Sequence, residues 1–444
     1  MEPLEQWIER QYRYSAEAML RSVSPLGLVK SRPGFGQTIR PLAGSIVASP
    51  VLAAYDPDPD YFFHWFRDSA VVIDALRLLF ESGALGAEAI EHVTHFVAFS
   101  SSLNQLDGRK LVSAPQWREA VTPDFKQYLR DDPDLAVAHS EHVVAETRVN
   151  PDGTLDLSKW CRPQHDGPAL RALALLRWLH KMPELSGAAE LARADLTFVS
   201  EHWREPSYDI WEEEKGQHYY TLCVTAAALD AGAAWVAEKG DRRTAHVLST
   251  ESREIRRVLD GFWAPEEKYY RSRVLASGLR STKELDIAVI LAAVHADAAL
   301  GAQPGTSLLA KGAAHTVHDP RIHATLDRLE ALFARAYPIN RDRRGAAMGR
   351  YDGDVYYSGG AYYFSTLGAA ELCYRAAPAA PDRAGWLQRG DAFLRTVQAF
   401  TPPGGELSEQ FDQATGVQTS AKHLAWSYAA LISCVAARRR AMQH

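Results

Sequence analysis

Two acidic segments far apart in the chain hold the residues best suited to chemistry. They are Tyr208-Asp209-Ile210-Trp211-Glu212-Glu213-Glu214 and Leu407-Ser408-Glu409-Gln410-Phe411-Asp412, and each sets a carboxylate beside aromatic and polar neighbours. Such a pair suits cleavage of a glycosidic bond. One protonated acid serves the leaving oxygen, and a second carboxylate works from the opposite side of the sugar ring. An indole at Trp211 would desolvate one of the glutamates beside it and raise its pKa, as a general acid requires. Three glutamates in a row also suit a solvated helix N-terminus, where acidic groups favour the helix dipole. Glu409, between Ser408 and Gln410, is either an exposed turn residue or a carboxylate kept ionised by polar neighbours and able to take a proton from water.

Two further segments offer a sugar-binding surface. Tyr61-Phe62-Phe63-His64-Trp65-Phe66 places five aromatics in six residues ahead of Arg67 and Asp68. Aromatic runs serve cores, but flat apolar faces also match the C–H face of a pyranose, and Arg and Asp hydrogen-bond its hydroxyls. Gly349-Arg350-Tyr351-Asp352-Gly353-Asp354-Val355-Tyr356-Tyr357 repeats that combination, or is a surface turn. Other chemistries lack their motifs. Gly34-Phe35-Gly36 is followed by Ile39 where a dinucleotide loop needs its third glycine, and there is no P-loop, H-E-x-x-H or G-x-S-x-G. His64, His165, His218 and His423 stand alone and read as structural hydrogen-bonders.

Helices must position these segments. Apolar periodicity predicts a helix over Val71–Phe80 that stops at Gly83, and another over Gly167–Leu179 with Asp166 as its N-cap. Similar patterns cover 88–101, 187–203, 219–238, 242–262, 284–299, 320–337, 361–377, 384–400 and 420–440, besides the N-terminus. That makes about a dozen helices, with short strands expected only at 43–53 and around 268–275. No fixed-period repeat and no linker divides the chain. Paired helices in one domain suit a closed double ring, the α/α toroid, or an irregular α-solenoid. The chemistry-bearing segments fall between helices, where a rigid scaffold usually carries function. They would converge if alternate joins lie at one end of a toroid.

The bulk numbers agree with a neutral substrate. The chain has 444 residues, 46% of them apolar, and a net charge of −6 with both signs mixed. Nucleic acid as a partner would call for clustered Lys and Arg. Cysteines 161, 223, 373 and 434 make no zinc-type or C-x-x-C spacing and read as free thiols, mostly buried. No metal or cofactor is suggested. The acidic, amphipathic start lacks signal-peptide features, and no apolar run of about 18 residues is seen, so no membrane partner and a cytoplasmic location are expected.

Five blocks in order resemble the glucoamylases, glycoside hydrolase family fifteen, along nearly the whole chain. They are Gly44–Pro50 with Asp60–Ser69, Trp160–Ala172, Tyr208–Glu213, Gly349–Tyr357, and Ser408–Asp412 with Trp426–Leu431. The resemblance implies an all-α (α/α)6 barrel with few short strands, spanning 1–444 as one catalytic domain without a carbohydrate-binding module. It implies an inverting exo-hydrolase that releases β-glucose from non-reducing ends of α-glucans. It makes Glu212 the general acid and Glu409 the base. Arg67 and Asp68 would bind the terminal glucose between Tyr61 and Trp65, with Trp211 and Glu213 at the cleavage point and next sugar. Trp160 and Arg148 would line the mouth, Arg350 would bind hydroxyls, and Asp354 and Tyr356 would support. An inverting pair leaves room for water, with carboxyls about 6.5–9.5 Å apart.

The chain departs from the starch-type pattern at Ser358-Gly359-Gly360-Ala361-Tyr362, where Tyr362 replaces a Trp, and at Asp156, where a Tyr is common. Segment 115–145 is longer and would narrow the cleft. Short malto- or isomalto-oligosaccharides are therefore expected rather than raw starch. An α-1,6-preferring enzyme or a trehalase is the alternative, and a non-catalytic glucan-binding protein the remote one.

Overall fold

Six helices follow one another around a closed ring, each packed on the next. The structure, a computed structural model, describes residues 2–55, 57–297 and 313–443. The helices in chain order are α1 (Leu4–Leu20), α2 (Phe66–Glu81), α3 (Glu88–Ser102), α4 (Gly108–Ser113), α5 (Asp132–Val137), α6 (Asp166–Lys181) and α7 (Ala188–His202). Then come α8 (Tyr219–Glu238), α9 (Arg242–Asp260), α10 (Ala288–His295), α11 (Pro320–Ala336), α12 (Tyr363–Ala376), α13 (Arg383–Phe400) and α14 (Ala425–Gln443). The inner ring runs α2, α6, α8, α10, α12, α14 and back to α2. Outside it, α3 packs on α2, α7 on α6, α9 on α8, α11 on α10, α13 on α12, and α1 on α14. This is an (α/α)6 barrel, and its closure excludes the irregular solenoid.

Burial explains which helices lie inside. In α9 the buried residues are Leu248, Ser252, Ile255 and Leu259, one stripe at helical spacing, as an outer helix requires. Inner α8 is apolar all round. It is long and apolar enough to cross a membrane, against expectation, yet 72% of that stretch is buried within the ring. Neighbouring inner helices approach closely. A Cβ on Gly167 of α6 would lie 2.5 Å from Phe66 Cβ of α2, so only glycine fits there.

Every predicted long helix is present, with shifted ends. The segment at 284–299 becomes helical only at Ala288, and its last two residues lie outside the described residues. The one at 420–440 starts at Ala425, because Ser420 and His423 have left-handed backbone (φ 63° and 52°). Segment 43–53 is not a strand: Ile46 makes an isolated bridge to Val23. The expected strand near 268–275 is two short pieces, Tyr269–Tyr270 and Arg273–Leu275. Asp166 is the first residue of α6 rather than its cap; His165 precedes the helix and caps nothing with its side chain.

Small antiparallel ladders staple the loops that enter the inner helices. Trp65 pairs with Arg148 ahead of α2. Ser207–Tyr208 pairs with Lys215–His218, and that strand with Arg273–Leu275, ahead of α8. Ala361–Tyr362 pairs with Gln410–Phe411, which pairs with Gln418–Thr419, joining the approaches to α12 and α14. Segment 115–145 folds as short helical turns around its own cluster of Phe35, Val121, Leu129, Leu135 and Leu157.

Candidate active site

The approaches to the inner helices meet around one cavity of ≈ 550 Å³. Tyr61, Trp65, Arg67 and Asp68 enter from the start of α2, Trp160 from the loop before α6, and Trp211, Glu212 and Glu213 from the hairpin before α8. Arg350, Tyr356 and Tyr362 come from the approach to α12, and Glu409 and Trp426 from that to α14. Phe364 and Trp426 stack on each other, with centroids 4.3 Å apart and planes at 6°, and line this cavity as well as a small one inside the ring. Two predicted contacts do not line the cavity. Arg148 sits behind Trp160, and Asp354 sits behind Arg350, whose guanidinium it binds at 2.7 Å. Nor does any residue of 115–145 line it; that segment backs the mouth loop instead, Lys159 donating to the Gln127 carbonyl at 2.7 Å.

The three glutamates occupy the turn of a hairpin, not a helix start, and point three ways. Asp209 builds the turn: its carbonyl accepts the Glu212 N–H at 2.9 Å, and its Oδ1 accepts the Glu213 N–H at 2.7 Å. Glu212 thereby takes a left-handed backbone (φ 64°), which costs a non-glycine residue about 1 kcal/mol or more and is held by the surrounding bonds. Its Oε1 accepts from Trp65 Nε1 at 2.8 Å and Arg67 Nη2 at 3.1 Å, and its Oε2 from Trp160 Nε1. Glu213 turns to Arg350 (3.1 Å), Lys283 (2.7 Å) and the Tyr351 hydroxyl. Glu214 turns away to Arg273 at 2.9 Å. The indole beside the trio plays another part than expected: Trp211 Nε1 donates to Asp286 at 2.8 Å, while Trp65 and Trp160 meet Glu212.

Glu409 faces the cavity from the other loop system. Its carboxylate accepts from the Tyr61 hydroxyl at 3.2 Å and from the Ser420 hydroxyl. The polar neighbours do not suffice to keep it fully ionised. Burial outweighs Ser420, Arg350 and Tyr61 and pushes the carboxyl up to about 7. The two glutamates share no hydrogen-bond partner among the described residues. Tyr61 and Trp65 stand between them with ring centroids 5.2 Å apart, one bonded to Glu409 and the other to Glu212.

Deeper in the cavity Arg67 is ringed by acids. Asp68 lies 3.4 Å from its Nε and Asp166 3.5 Å from its Nη1. Burial pushes each of these carboxyls up to about 6 against the pull of Arg67. Asp68 and Trp426 both line the cavity; Asp68 Oδ2, the oxygen facing Arg67 Nε, and Trp426 Nε1 are buried without a hydrogen bond. Among the described residues no cluster of His, Cys, Asp and Glu is arranged to hold a metal ion. Three of the four histidines singled out bond structurally: His64 Nδ1 accepts the Ile46 N–H at 3.0 Å, His218 Nε2 donates to the Ser207 carbonyl at 3.0 Å, and His423 pairs with the Tyr428 hydroxyl at 2.8 Å. His165 departs from the expectation: it packs edge-on against Phe198, and its Nδ1 is buried without a hydrogen bond. All four cysteines are free, and Cys161 reaches the cavity wall.

Sequence reasoning passed over several residues of this site. Asp166 and Trp426 lay inside blocks it had singled out. Asp286, Arg273, Lys283 and Ser420 carried no local signal, because single polar residues gain meaning only from what the fold sets beside them.

Known proteins resemble this chain throughout. The model of glycosyl hydrolases family 15 matches residues 16–388 and 386–436. A probable glucoamylase of Schizosaccharomyces pombe is 27% identical, covering 97% of this chain and 91% of its own. The structure of a family 15 glucoamylase from Hypocrea jecorina superimposes with a TM-score of 0.78 at 23% identity, covering 99% of this chain and 73% of that one. A glycosidase solved in complex with glucose superimposes with a TM-score of 0.61 at 16% identity over 98% of both chains. The chain belongs to family 15 of the glycosyl hydrolases and is a glucan-hydrolysing glucosidase of the glucoamylase type.

Proposed function

We propose that this enzyme is an inverting exo-α-glucosidase that removes β-glucose from the non-reducing ends of short α-gluco-oligosaccharides. One observation carries the reading: two carboxyls from separate loops, Glu212 and Glu409, face a single sugar-sized cavity with Tyr61 and Trp65 between them. Glu212 gives its proton to the glycosidic oxygen as the C1–O bond breaks. Water attacks C1 from the opposite face and loses its proton to Glu409. A base with a pKa close to the working pH is effective in that role. Arg67 and Asp68 hold the terminal glucose, and Arg350 with Glu213 holds the next unit through its hydroxyls.

Proton NMR of fresh product tests inversion; α-glucose as first product would overturn it. Glu212→Gln lowers kcat on maltose by about 10²–10⁴ with the fold intact. The upward push on Glu409 favours a second reading with the roles exchanged. α-Glucosyl fluoride, whose leaving group needs little proton help, separates the two: removing the acid spares its hydrolysis and removing the base does not. A panel of maltose, isomaltose, dextran oligomers and trehalose settles linkage, the changed Gly360-Ala361-Tyr362 surroundings being the reason to include all four.

A further inference from the structure

Arg148 lies behind the cavity wall, yet it touches both indoles that hold Glu212. Its guanidinium sits 3.7 Å from the Trp160 ring centroid and 4.8 Å from that of Trp65, with Phe63 at 4.1 Å. Trp65 Nε1 donates to one oxygen of Glu212 and Trp160 Nε1 to the other. Trp160 is 42% exposed on the rim, so little else pins its ring. A cation over an indole face is attracted by the ring's quadrupole and so holds the ring in place.

The cation is itself anchored. Asp156 accepts from Arg148 Nε at 2.9 Å and from Arg162 Nη2 at 3.0 Å. Arg162 reaches Glu146 at 2.8 Å, and Glu146 takes two bonds from Arg130, at 2.8 and 3.0 Å. Burial would raise Asp156, but Arg148, Arg162 and Ser158 hold it well below the usual carboxylate range. The chain of alternating charges runs from the long 115–145 segment to the mouth tryptophan.

We propose that Arg148, held by Asp156, is a positioning residue for the proton-donating step: it sets Trp65 and Trp160 so that their N–H groups aim the two oxygens of Glu212. This rests on Glu212 being the acid. It ties the substitution at Asp156 and the length of segment 115–145 to one device, a buried ion ladder bracing the acid from outside the sugar-binding surface.

The test compares Arg148→Met, Asp156→Asn and Asp156→Glu with wild type on maltose and on α-glucosyl fluoride, with thermal unfolding of each. Arg148→Met should lower kcat on maltose about 10- to 100-fold with KM within about threefold. On the fluoride its deficit should shrink to within about threefold, because that leaving group bypasses the acid. Asp156→Asn should show the same pattern more weakly, and Asp156→Glu should recover most of the rate. Equal losses on both substrates, or no loss, would overturn the proposal. Should Arg148→Met fail to fold, the Asp156 pair decides by the same comparison. A wild type inert on both substrates, or a Glu212→Gln variant as dead on the fluoride as on maltose, would instead sink the assignment of Glu212.

Discussion

Trp65 and Glu212 stand 147 residues apart in the chain and meet at 2.8 Å, indole N–H to carboxylate oxygen. The bond joins the approach to α2 with the hairpin before α8 across the mouth of the ring. It fixes one oxygen of Glu212 and leaves the other to Trp160, at the rim.

Trp65→Phe keeps an aromatic wall for the sugar and removes that donor. The donor stabilises the negative charge that develops on Glu212 as it gives up its proton; a hydrogen bond to a charged group is worth about 1.5–3 kcal/mol, so kcat/KM should fall about 10- to 100-fold. Steady-state kinetics on maltose checks this, and most of the loss should sit in kcat, since wall contacts remain.

Ser420→Ala removes a hydroxyl that donates to Glu409. That bond favours the ionised carboxylate, so its loss raises the carboxyl further above 7. In the proposed role of base Glu409 must be ionised, so the acidic limb of the kcat/KM–pH profile should move to higher pH. An unmoved limb would show that another group sets it.

Glu409→Gln should stabilise the fold in a pH-dependent way. The folded carboxyl titrates at about 7, above its ordinary value of 4.5. Below the lower value both states are protonated and burial costs nothing. Above about 7 both are ionised and the folded state bears the full desolvation penalty. The variant should therefore match wild type at pH 4 and gain on the order of 3 kcal/mol at pH 8. Urea unfolding at the two pH values measures the difference.

Asp195→Ala should damage the barrel without touching the cavity. Arg171 of α6 and Asp195 of α7 form a fully buried fork, at 2.8 and 2.7 Å. Losing one partner strands the other charge, at about 3–5 kcal/mol, whereas Arg171→Met with Asp195→Leu should recover much of it. Denaturant midpoints of the single and double variants make the comparison.

Much of this molecule was legible before folding. Leu- and Ala-rich periodicity marked the long helices, since a helix that buries a stripe or its whole surface must repeat apolar residues at its own turn. The aromatic-acidic blocks marked the loops at Tyr61–Asp68, Tyr208–Glu214, Gly349–Tyr357 and Ser408–Asp412, because this chemistry needs unusual residue types side by side.

Ring closure, however, depended on contacts between α14 and α2, at opposite ends of the sequence. Short ladders such as Trp65 with Arg148 were too brief to show alternation. The trio's geometry came from Asp209 and Arg273, and the state of Glu409 from burial. The sequence by itself determined the helices and the family, and it singled out the two acids proposed as reactive, because these are written in local order. Only the tertiary structure decided which acid meets which donor and which cation stands behind the wall. Hydrogen bonds and desolvation act over a few ångströms of space, and distance along the chain does not encode them.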